Sequence, residues 1–551
     1  MRKARGAFFT PPAIAEFLAR WAISTPQSRV LDPTCGEAVF LLAAAERLRA
    51  LGVSPASIRE QLSGIDVHQP SLDSSAKLLG ELQTGANLVC GDFFEIPTPA
   101  QFGDRVGWQD AVIGNPPFIR YQEHRGIARK RSATAALAQG VRLSGLASSW
   151  AAALVHASAF LKPTGRLAMV LPAELLNVGY AEPIRRWLRE RFAVVNLVMF
   201  EHLQFRGTSE QVVLLVARGT GPSAPFCLYH VENADDLADV HPLDPIGANP
   251  SADGKWSDLV LPLETRQLLY EVSRRLVRLD TYGSLELGTV TGANDYFALS
   301  ESTRKAHGLT ERHLRRISPP GTRHLKGTAF SRAQWEELKL ADERVWLLCP
   351  DGKPRAKGLV SYLAHGVELG VPRTYKCSVR DSWWRPPVTP VPDLFFTYMS
   401  HRYPRLVAND AKTAFLNSMH GLRLNEGSPK EACAALPLLS LNSATMLGAE
   451  VLGRSYGGGI LKMEPREAAS LPVPGPDDLR AAWRQLSPQG DRLDAMLIRG
   501  EWWSVVAEVD RVLLKDVLGL ENNDVTAIRD GAALLRVRRT RQREPDGSLA
   551  T

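Results

Sequence analysis

The chain has 551 residues, of which 44% are hydrophobic and 23% are charged, as is ordinary for a soluble globular protein of several domains. The formal net charge of +7 permits a nucleic-acid partner without requiring one, and six widely spaced cysteines argue against a zinc module or a disulfide framework. Such cysteine usage favours a reducing compartment, and no apolar run approaches the roughly 18–20 residues of a membrane span, so we expect a cytoplasmic protein without a membrane segment.

The amino-terminal region predicts a helix, then a strand, a tight loop and a second helix. Thr10 precedes a helical pattern over 14–23 and is available as its cap. The stretch 29–50 follows, with Asp32 at the end of the strand and Gly36 in the loop. A loop between a strand and a helix points backbone N–H groups at a ligand, and Asp32 could take the ammonium group of that ligand.

Two further strand ends carry an acid. Residues 62–67 predict a second strand ending in Asp66, and an acid one strand–helix unit after a glycine loop holds the ribose diol in nucleoside-binding sheets. Residues 87–94 predict a third strand end, where Asp92 could accept from an adenine amino group and Phe93 could pack on the adenine ring. Acids in this order and at this spacing predict an α/β sheet that binds a nucleoside.

A stiff turn follows the fourth predicted strand, 110–113, which Gly114 ends. The amino group of a nucleobase is a poor nucleophile, because its lone pair is delocalised into the ring. The side-chain oxygen of Asn115 and the carbonyl of Pro116 could accept its two N–H bonds and draw it towards a tetrahedral geometry. Phe118 could stack on the same base. For this motif alone, an ordinary Asn-Pro turn with a core phenylalanine is the alternative.

Residues 119–148 are basic and rich in small residues, and we expect them to form a mobile loop. Six cations stand there against the single acid Glu123. Such a loop could close over DNA and grip its phosphates, whereas a solvated connection is the alternative. The cations that we expect to contact DNA are Arg120, Arg129, Lys130 and Arg131.

The rest of the chain divides by composition. Apolar runs over 193–200 and 211–217 would close the first sheet, and 219–225 has the composition of a linker. Segments that mix cations, aromatic residues and short strands follow from 285, and the basic tail at 536–543 is expected to be disordered. We predict a catalytic domain at 1–225 and a connecting segment at 226–284. A second domain at 285–476 and a helical region with its tail at 477–551 follow.

In their order, these motifs resemble the gamma-class, TaqI-like amino-methyltransferases of DNA. The motifs are Phe9-Thr10-Pro11-Pro12, Asp32-Pro33-Thr34-Cys35-Gly36, Gly64-Ile65-Asp66, Gly91-Asp92-Phe93-Phe94 and Asn115-Pro116-Pro117-Phe118. The glycine loop of that family often reads Gly-x-Gly, whereas here Ala38 stands at the last position. Ala38 is small, so the approach of a cofactor is kept, and the backbone angles of the loop become the point to examine.

The resemblance implies a Rossmann-like, S-adenosylmethionine-dependent methyltransferase domain and a second, β-rich target-recognition domain at 285–476. It also implies that Phe205 packs on a flipped base opposite Phe118, with a core phenylalanine as the alternative. The methyl donor would be bound by Thr10, Asp32, Pro33, Cys35, Gly36, Asp66, Val67, Asp92, Phe93 and Asn115. The expected activity is methylation of adenine N6 in double-stranded DNA, with Asn115, Pro116, Phe118 and Phe205 as catalytic residues and without a metal ion.

Three other functions stay open at this point. The same turn could serve a cytosine-N4 methyltransferase of DNA, although asparagine at its first position goes mainly with adenine in related enzymes. Asn-Pro-Pro-aromatic turns also occur in methyltransferases of RNA and protein, against which the large second domain argues. The intact series of acids argues against a non-catalytic DNA-binding subunit. Since few residues precede the first motif, we expect any cognate restriction endonuclease to be a separate protein.

Overall fold

The chain folds into two compact units. The computed structural model describes residues 10–101, 105–119, 123–200, 204, 212–222, 227–238, 255–456 and 459–540. The first unit ends at Val260, and the second spans Leu261–Thr540. The boundary between them falls inside 226–284, the stretch predicted to connect two domains. The division of the chain into four parts stays a prediction.

The first unit is built on one eight-stranded sheet. Its strands are β1 (Val30–Asp32), β2 (Leu62–Asp66), β3 (Asn87–Cys90), β4 (Gln109–Gly114), β5 (Leu161–Pro172), β6 (Val194–Phe200), β7 (Val212–Arg218) and β8 (Cys227–Val231). They lie in the order β3-β2-β1-β4-β5-β7-β6-β8. The strands from β3 to β5 are parallel, and β7 runs antiparallel to both of its neighbours. This mixed α/β sheet confirms the predicted fold class.

Helices connect these strands and bury their apolar runs. The helices are α1 (Pro12–Ala22), α2 (Val39–Ala50), α3 (Pro55–Gln61), α4 (Gln69–Glu81), α5 (Gly126–Ala138), α6 (Ser149–Ser158), α7 (Glu174–Asn177) and α8 (Glu182–Arg191). Val30 and Leu31 of β1 and residues 111–113 of β4 have no exposed surface, as expected for strands that are covered on both faces.

The strand order places the carboxyl ends of β1 and β4 at a switch point of the sheet. From β1 the chain first adds β2 and β3 on one side and then crosses to β4 on the other side. In open α/β sheets, ligands bind outside the carboxyl ends of the strands at such a point. Asp32 ends β1, and Asn115 directly follows β4, so the fold itself brings two of the predicted site residues to this crevice.

Two predictions about the first unit were wrong. The N-cap residue of α1 is Pro11, and no side chain caps this helix, so Thr10 is not its cap. The segment 119–148 is not simply a loop, since α5 occupies residues 126–138. Alanine has the highest helix propensity, and the small side chains of Ala135 and Ala136 are buried where α5 packs against α6. The alanine content of this segment, and not its basic residues, was the signal for a helix.

The second unit combines short strands with many helices. Its strands are β9 (Val277–Arg278), β10 (Gly283–Leu287), β11 (Ala298–Leu299), β12 (Leu314–Arg316), β13 (Trp346–Leu348), β14 (Leu394–Phe396), β15 (Met399–Ser400), β16 (Leu406–Ala408), β17 (His420–Leu424), β18 (Arg454–Tyr456), β19 (Ile460–Lys462) and β20 (Pro472–Val473). They form small sheets in the orders β10-β17-β14-β16, β11-β13-β12, β15-β19-β18 and β20-β9. Buried Phe297, Trp335 and Phe395 belong to one apolar core of this unit.

Helices make up the remainder of the second unit. They are α9 (Leu263–Arg275), α10 (Asn294–Phe297), α11 (Glu301–Ala306), α12 (Arg332–Leu340), α13 (Lys357–Glu368), α14 (Tyr375–Ser378), α15 (Ala432–Leu439), α16 (Ser443–Leu452), α17 (Pro465–Ala469), α18 (Pro476–Leu486), α19 (Gly490–Arg499), α20 (Trp502–Val509) and α21 (Asn522–Thr540), with a π-helix over Asp510–Val517. No single helix in the described ranges is long and apolar enough to cross a membrane, although α15 and α16, bent by 79°, meet that test as a pair. The cytoplasmic location stays a prediction.

Part of the segment predicted to be a disordered tail is helical. The last helix, α21, continues to Thr540, so residues 536–540 are ordered. Arg539 is 5% exposed, and its Nη2 lies 2.7 Å from Oε1 of Glu450. A run of arginines is typical of a solvated tail, but this one includes a residue that neutralises a buried acid far away in the sequence.

Candidate active site

The carboxyl ends of β1 and β4 bring three separate parts of the chain together. A Cβ added to Gly114 would lie 2.9 Å from Oδ1 of Asp32, so the two strand ends touch only because Gly114 has no side chain. The hydroxyl of Thr34 lies 3.5 Å from the carbonyl oxygen of Asn115. Nδ2 of Asn115 donates to Oγ1 of Thr10 at 3.1 Å. The amino-terminal segment, the loop after β1 and the turn after β4 therefore form one site.

The amide of Asn115 makes a hydrogen bond through its nitrogen, and its oxygen has no donor among the described residues. The bond from Nδ2 to Thr10 sets the orientation of the amide. The Oδ1 atom is buried, and no residue in the described part of the chain donates a hydrogen bond to it. A buried acceptor without a donor costs about 1–3 kcal/mol. The turn therefore offers an acceptor that the N–H group of a ligand would satisfy.

Asp32 is a buried carboxyl group without a cationic neighbour among the described residues. It is 1% exposed, and the backbone N–H of Thr34 donates to its Oδ1 at 3.1 Å. Burial raises the pKa of Asp32 to about 8, the charge of Asp66 acts in the same direction, and the bond from Thr34 partly opposes both. In the described ranges no lysine or arginine pairs with Asp32. The ammonium group of a ligand would supply the missing counter-charge.

The loop between β1 and α2 has the shape that a glycine-rich loop needs. Gly36 has a φ of +49°, and no atom lies within 4 Å of where its Cβ would be, so a ligand can approach the backbone there. Ala38 also has a left-handed conformation, with a φ of 67° and a ψ of 14°. An L-residue in that conformation costs about 1–2 kcal/mol. Ala38 therefore adopts, at the last position of the loop, a backbone conformation that glycine takes readily.

The helix that follows this loop leaves its first N–H groups to a ligand. Among the described residues no side chain caps α2, and its first turn contains no acid. The backbone N–H of Cys35 donates to the carbonyl of Ile65 at 2.9 Å, and the thiol of Cys35 is buried beside Gly64. Pro33 is also buried, next to Gly114. The buried thiol of Cys35 leaves its backbone as the part that could contact a ligand.

Asp66 links the second strand end to the glycine loop. Its Oδ2 accepts from the backbone N–H of Gly36 at 3.0 Å, and its Oδ1 accepts from the backbone N–H of His68 at 2.8 Å. Each carboxylate oxygen can accept a second bond, so the predicted ribose contact stays available. The neighbouring Val67 is 66% exposed and presents an aliphatic face at the same strand end. The sequence did not indicate that Asp66 also supports the loop.

The third strand end is less open than the first two. Oδ1 of Asp92 accepts from the backbone N–H of Phe94 at 3.1 Å, and Oδ2 lies 3.4 Å from Nη1 of Arg131. Phe93 is 4% exposed, and its ring centroid lies 4.6 Å from that of His156 and 5.6 Å from that of Phe160. The contacts of Asp92 and Phe93 with an adenine ring stay predictions.

The predicted catalytic turn is anchored by a residue that the sequence did not reveal. Pro116 and Phe118 are both buried, and Phe118 is 8% exposed. Oγ of Ser149, the first residue of α6, donates to the carbonyl of Pro117 and accepts from the backbone N–H of Ile119 at 2.9 Å. A serine at the start of an apolar helix is an ordinary terminal residue, so no local signal pointed to these contacts.

The predicted DNA-contacting cations differ in their surroundings. Lys130 is exposed on α5 and Arg129 is half-buried there. Arg131 lies 2.6 Å from Oε1 of Glu95 as well as near Asp92, so two carboxylates neutralise its charge. Arg120 and Phe205 lie outside the described residues, and their roles stay predictions.

The chain is similar to known proteins over most of its length. The family model described as N-6 DNA Methylase matches residues 1–225, and the model described as the C-terminal domain of the type II methyltransferase M.Eco57I matches residues 253–514. The type II methyltransferase M.XamI of Xanthomonas campestris pv. amaranthicola is 25% identical over 492 residues, which are 86% of either chain.

A second relative covers nearly as much of the chain. The type II methyltransferase M.AccI of Acinetobacter calcoaceticus is 21% identical over 479 residues, covering 85% of this chain and 84% of its own. Among solved structures, a DrdV–DNA complex matches 89% of this chain and 58% of its own chain, at 12% identity and a TM-score of 0.49. The two family models and the two relatives support site-specific methylation of adenine N6 in DNA as the activity of this chain.

Proposed function

We propose that this chain, a site-specific DNA methyltransferase acting on adenine N6, belongs to the gamma class and methylates a base turned out of the duplex, with S-adenosylmethionine as donor. The observation that carries this proposal is the buried Oδ1 of Asn115, which has no donor among the described residues. It lies on a proline-stiffened turn at the switch point of the sheet, where a nucleobase amino group would complete its hydrogen bonding.

The turn supplies two acceptors for one amino group. An adenine N6 at this place would donate one N–H to Oδ1 of Asn115 and the other to the carbonyl of Pro116. These bonds pull electron density back onto N6 and shape it for attack, so the residues act by position and electrostatics. Thr10 keeps Oδ1 facing the base, and stacking on Phe118 would add about 1–3 kcal/mol.

The proton balance of this step needs no strong base. N6 becomes positively charged as it gains a methyl group, and an amine in that state is strongly acidic. One of its two protons can therefore pass to water. Asn115 and Pro116 need only accept hydrogen bonds throughout, and neither has to change its protonation state.

The residues around β1 and β2 fit the proposed donor. Buried Asp32 would take the ammonium group, and the open backbone at Gly36 allows close approach. Asp66 has free lone pairs for a ribose diol, and exposed Val67 offers an apolar face for an adenine ring. When bound, S-adenosylmethionine supplies a methyl group activated by its sulfonium. The predicted contacts of Asp92 and Phe93 belong to the same proposal.

We propose that both parts of the chain take part in binding DNA. Turning an adenine out of the duplex costs a few kcal/mol, which binding of the base and its surroundings must offset. We assign target recognition to residues 285–476, which lie within the match to the C-terminal domain model. A cognate restriction endonuclease belongs to the same proposal as a partner.

The direct test is the modified base itself. The gene would be expressed in a host without adenine methylation, and the DNA would be digested to nucleosides and analysed by mass. We expect N6-methyladenine, placed by modified-base sequencing at one short recognition sequence. N4-methylcytosine would overturn the choice of base. DNA left unmodified by purified protein with S-adenosylmethionine would overturn the proposed reaction.

Donor binding is expected to tighten as the pH rises from about 6 to 8 and to level off above that range. Because the pKa of Asp32 is raised to about 8 in the free protein, the carboxyl must lose a proton before it can pair with an ammonium group. That release corresponds to at most about a tenfold change in Kd per pH unit. Calorimetric titration of S-adenosylmethionine at several pH values measures this slope.

Two further results are expected from the raised pKa of Asp32. Asp32→Asn should bind the donor weakly at every pH and abolish the slope, so a wild-type Kd that is flat from pH 6 to 8 would contradict the assignment. The folded pKa lies above the unfolded value of 3.8, so the same group favours folding at low pH. That contribution is lost as the pH rises towards 8, and the stability of the free protein should fall with it.

Lys130→Ala is expected to weaken DNA binding at all sequences and to reduce the salt dependence of binding by about one unit of slope. Lys130 is exposed, whereas Arg131 already faces Glu95 and Asp92. Arg131→Ala on the same helix is therefore the matched control, with a smaller expected change in slope. Fluorescence anisotropy across a range of salt concentrations measures both variants. Equal slopes for Lys130→Ala and wild type would show that Lys130 does not contact phosphate.

A further inference from the structure

The backbone of the catalytic turn is fixed by one side chain from another element. Oγ of Ser149 donates to the carbonyl of Pro117 and accepts from the backbone N–H of Ile119 at 2.9 Å. The backbone N–H of Ser149 also donates to the carbonyl of Ile119 at 3.0 Å. These bonds hold the peptide groups on both sides of Phe118.

Ser149 can play this double part because a hydroxyl is both a donor and an acceptor. One O–H and two lone pairs allow it to give a bond to Pro117 and to receive one from Ile119 at the same time. The turn needs such support, since Pro116 and Pro117 have no N–H and cannot continue the ladder of β4. An alanine at position 149 would keep the backbone bond to Ile119 and lose both side-chain bonds.

The helix that carries Ser149 is fully buried. Every residue of α6 is buried, and Ser149 is 4% exposed at its first turn. Side chains in close-packed interiors sit in rotamer minima with few voids around them, so α6 gives the turn a well-packed neighbour. The place of Phe118 relative to the sheet is thereby tied to the core of the unit and not to the loop alone.

We propose that Ser149 is a positioning residue for methyl transfer, which fixes Phe118 against the target base. This inference rests on the proposed function of the same turn. Ser149 does not touch the base and has no part in the chemistry. A small displacement of reacting groups lowers rates strongly, by up to about 10²-fold for 1 Å. Loss of the Ser149 hydroxyl should therefore appear in kcat more than in binding.

The test compares Ser149→Ala with Ser158→Ala. Ser158 lies at the other end of α6, is 2% exposed, and donates only to the carbonyl of Val155 at 2.7 Å, so it is a matched buried serine away from the turn. For Ser149→Ala we expect kcat to fall about 10- to 100-fold, with KM for S-adenosylmethionine within about threefold of wild type. Ser158→Ala should keep the wild-type kcat.

Two measurements separate positioning from general damage. DNA with 2-aminopurine at the target base should fluoresce less in complex with Ser149→Ala, because the turned-out base is held less firmly. Amide hydrogen exchange at Ile119 in the protein alone should be faster in this variant and unchanged in Ser158→Ala. An unfolding midpoint near that of wild type shows that the fold is intact, whereas a fall in kcat matched by equal losses of stability and donor binding would overturn the positioning role.

The outcomes also separate this inference from the function on which it rests. Wild-type protein that makes no N6-methyladenine would overturn the proposed function, and the role of Ser149 with it. Active wild type together with a fully active Ser149→Ala would overturn the role of Ser149 alone. An equal fall of kcat in Ser149→Ala and Ser158→Ala would likewise overturn it, because the effect would then belong to α6 as a whole.

Discussion

Asn115→Ala is expected to lower kcat for methyl transfer by about 10²–10³-fold, while the affinities for DNA and S-adenosylmethionine stay within about threefold of wild type. The size follows from the removal of a preorganised hydrogen-bonding group at a reacting atom. The buried Oδ1 of Asn115 has no other donor in the described part of the chain, so its free bonding capacity is available to the target amino group. The folded protein should tolerate the change, because among the described residues Nδ2 loses only its bond to the hydroxyl of Thr10.

The measurement is a single-turnover assay with DNA and donor in excess of their Kd values. Asn87→Ala is the matched control, since Asn87 lies in the same unit and its Nδ2 donates to the carbonyl of Arg105 at 2.9 Å on the surface. Its single-turnover rate should equal that of wild type. An Asn115→Ala enzyme with a rate near that of wild type would show that the amide does not act on the base, whatever its place in the fold.

The sequence identified the strand ends of this site because their signals are local. An acid or an Asn-Pro-Pro turn directly after an apolar run marks the carboxyl end of a buried strand, and parallel strands present those ends at one edge. Asp32, Asp66 and Asn115 could therefore be placed in one crevice without knowing their distances. The structure adds that Asp66 holds the backbone of Gly36, which depends on a contact across 30 residues.

Ala38 departs from a local rule of backbone conformation. A residue other than glycine is expected to avoid positive φ, yet Ala38 has a φ of 67° and completes the loop before α2. The loop is tied down through Gly36 and Asp66, so surrounding contacts supply the free energy for this strained conformation. Backbone preference alone could not decide between a strained alanine and a different loop.

Partners from distant segments account for what the sequence did not reveal. Ser149 is 30 residues from Ile119, and nothing in its own neighbourhood indicates that it binds the catalytic turn. Arg131 resembled a free cation in a basic run, but Glu95 and Asp92 face it in the fold. Ion pairs and loop anchors of this kind depend on tertiary contacts, and a single sequence holds no periodic signal for them.

Glu450→Ala is expected to destabilise the second unit by about 3–5 kcal/mol. Arg539 donates from Nε to Oε2 of Glu450 at 3.0 Å and from Nη2 to Oε1 at 2.7 Å, a bidentate geometry. The two side chains are 4% and 2% exposed. Without Glu450, the guanidinium would stay buried with its charge unbalanced, held there by bonds to the carbonyls of Arg402 and Gly459.

The comparison with a surface pair tests this reasoning. Glu508 and Arg511 lie 2.7 Å apart, but the side chain of Arg511 is 48% exposed. Water can therefore solvate Arg511 when the pair is broken, and Glu508→Ala should lower the free energy of unfolding by only about 0–1 kcal/mol. Amide hydrogen exchange in α16 and α21, followed against urea, measures the opening free energy for both variants. If Glu450→Ala lowers the opening free energy no more than Glu508→Ala does, then Arg539 is hydrated once its partner is removed. Burial would then not set the energy of this pair. We expect the opposite order, because Arg539 could be solvated only if the end of α21 separated from α16, and that separation is the very opening that the measurement detects.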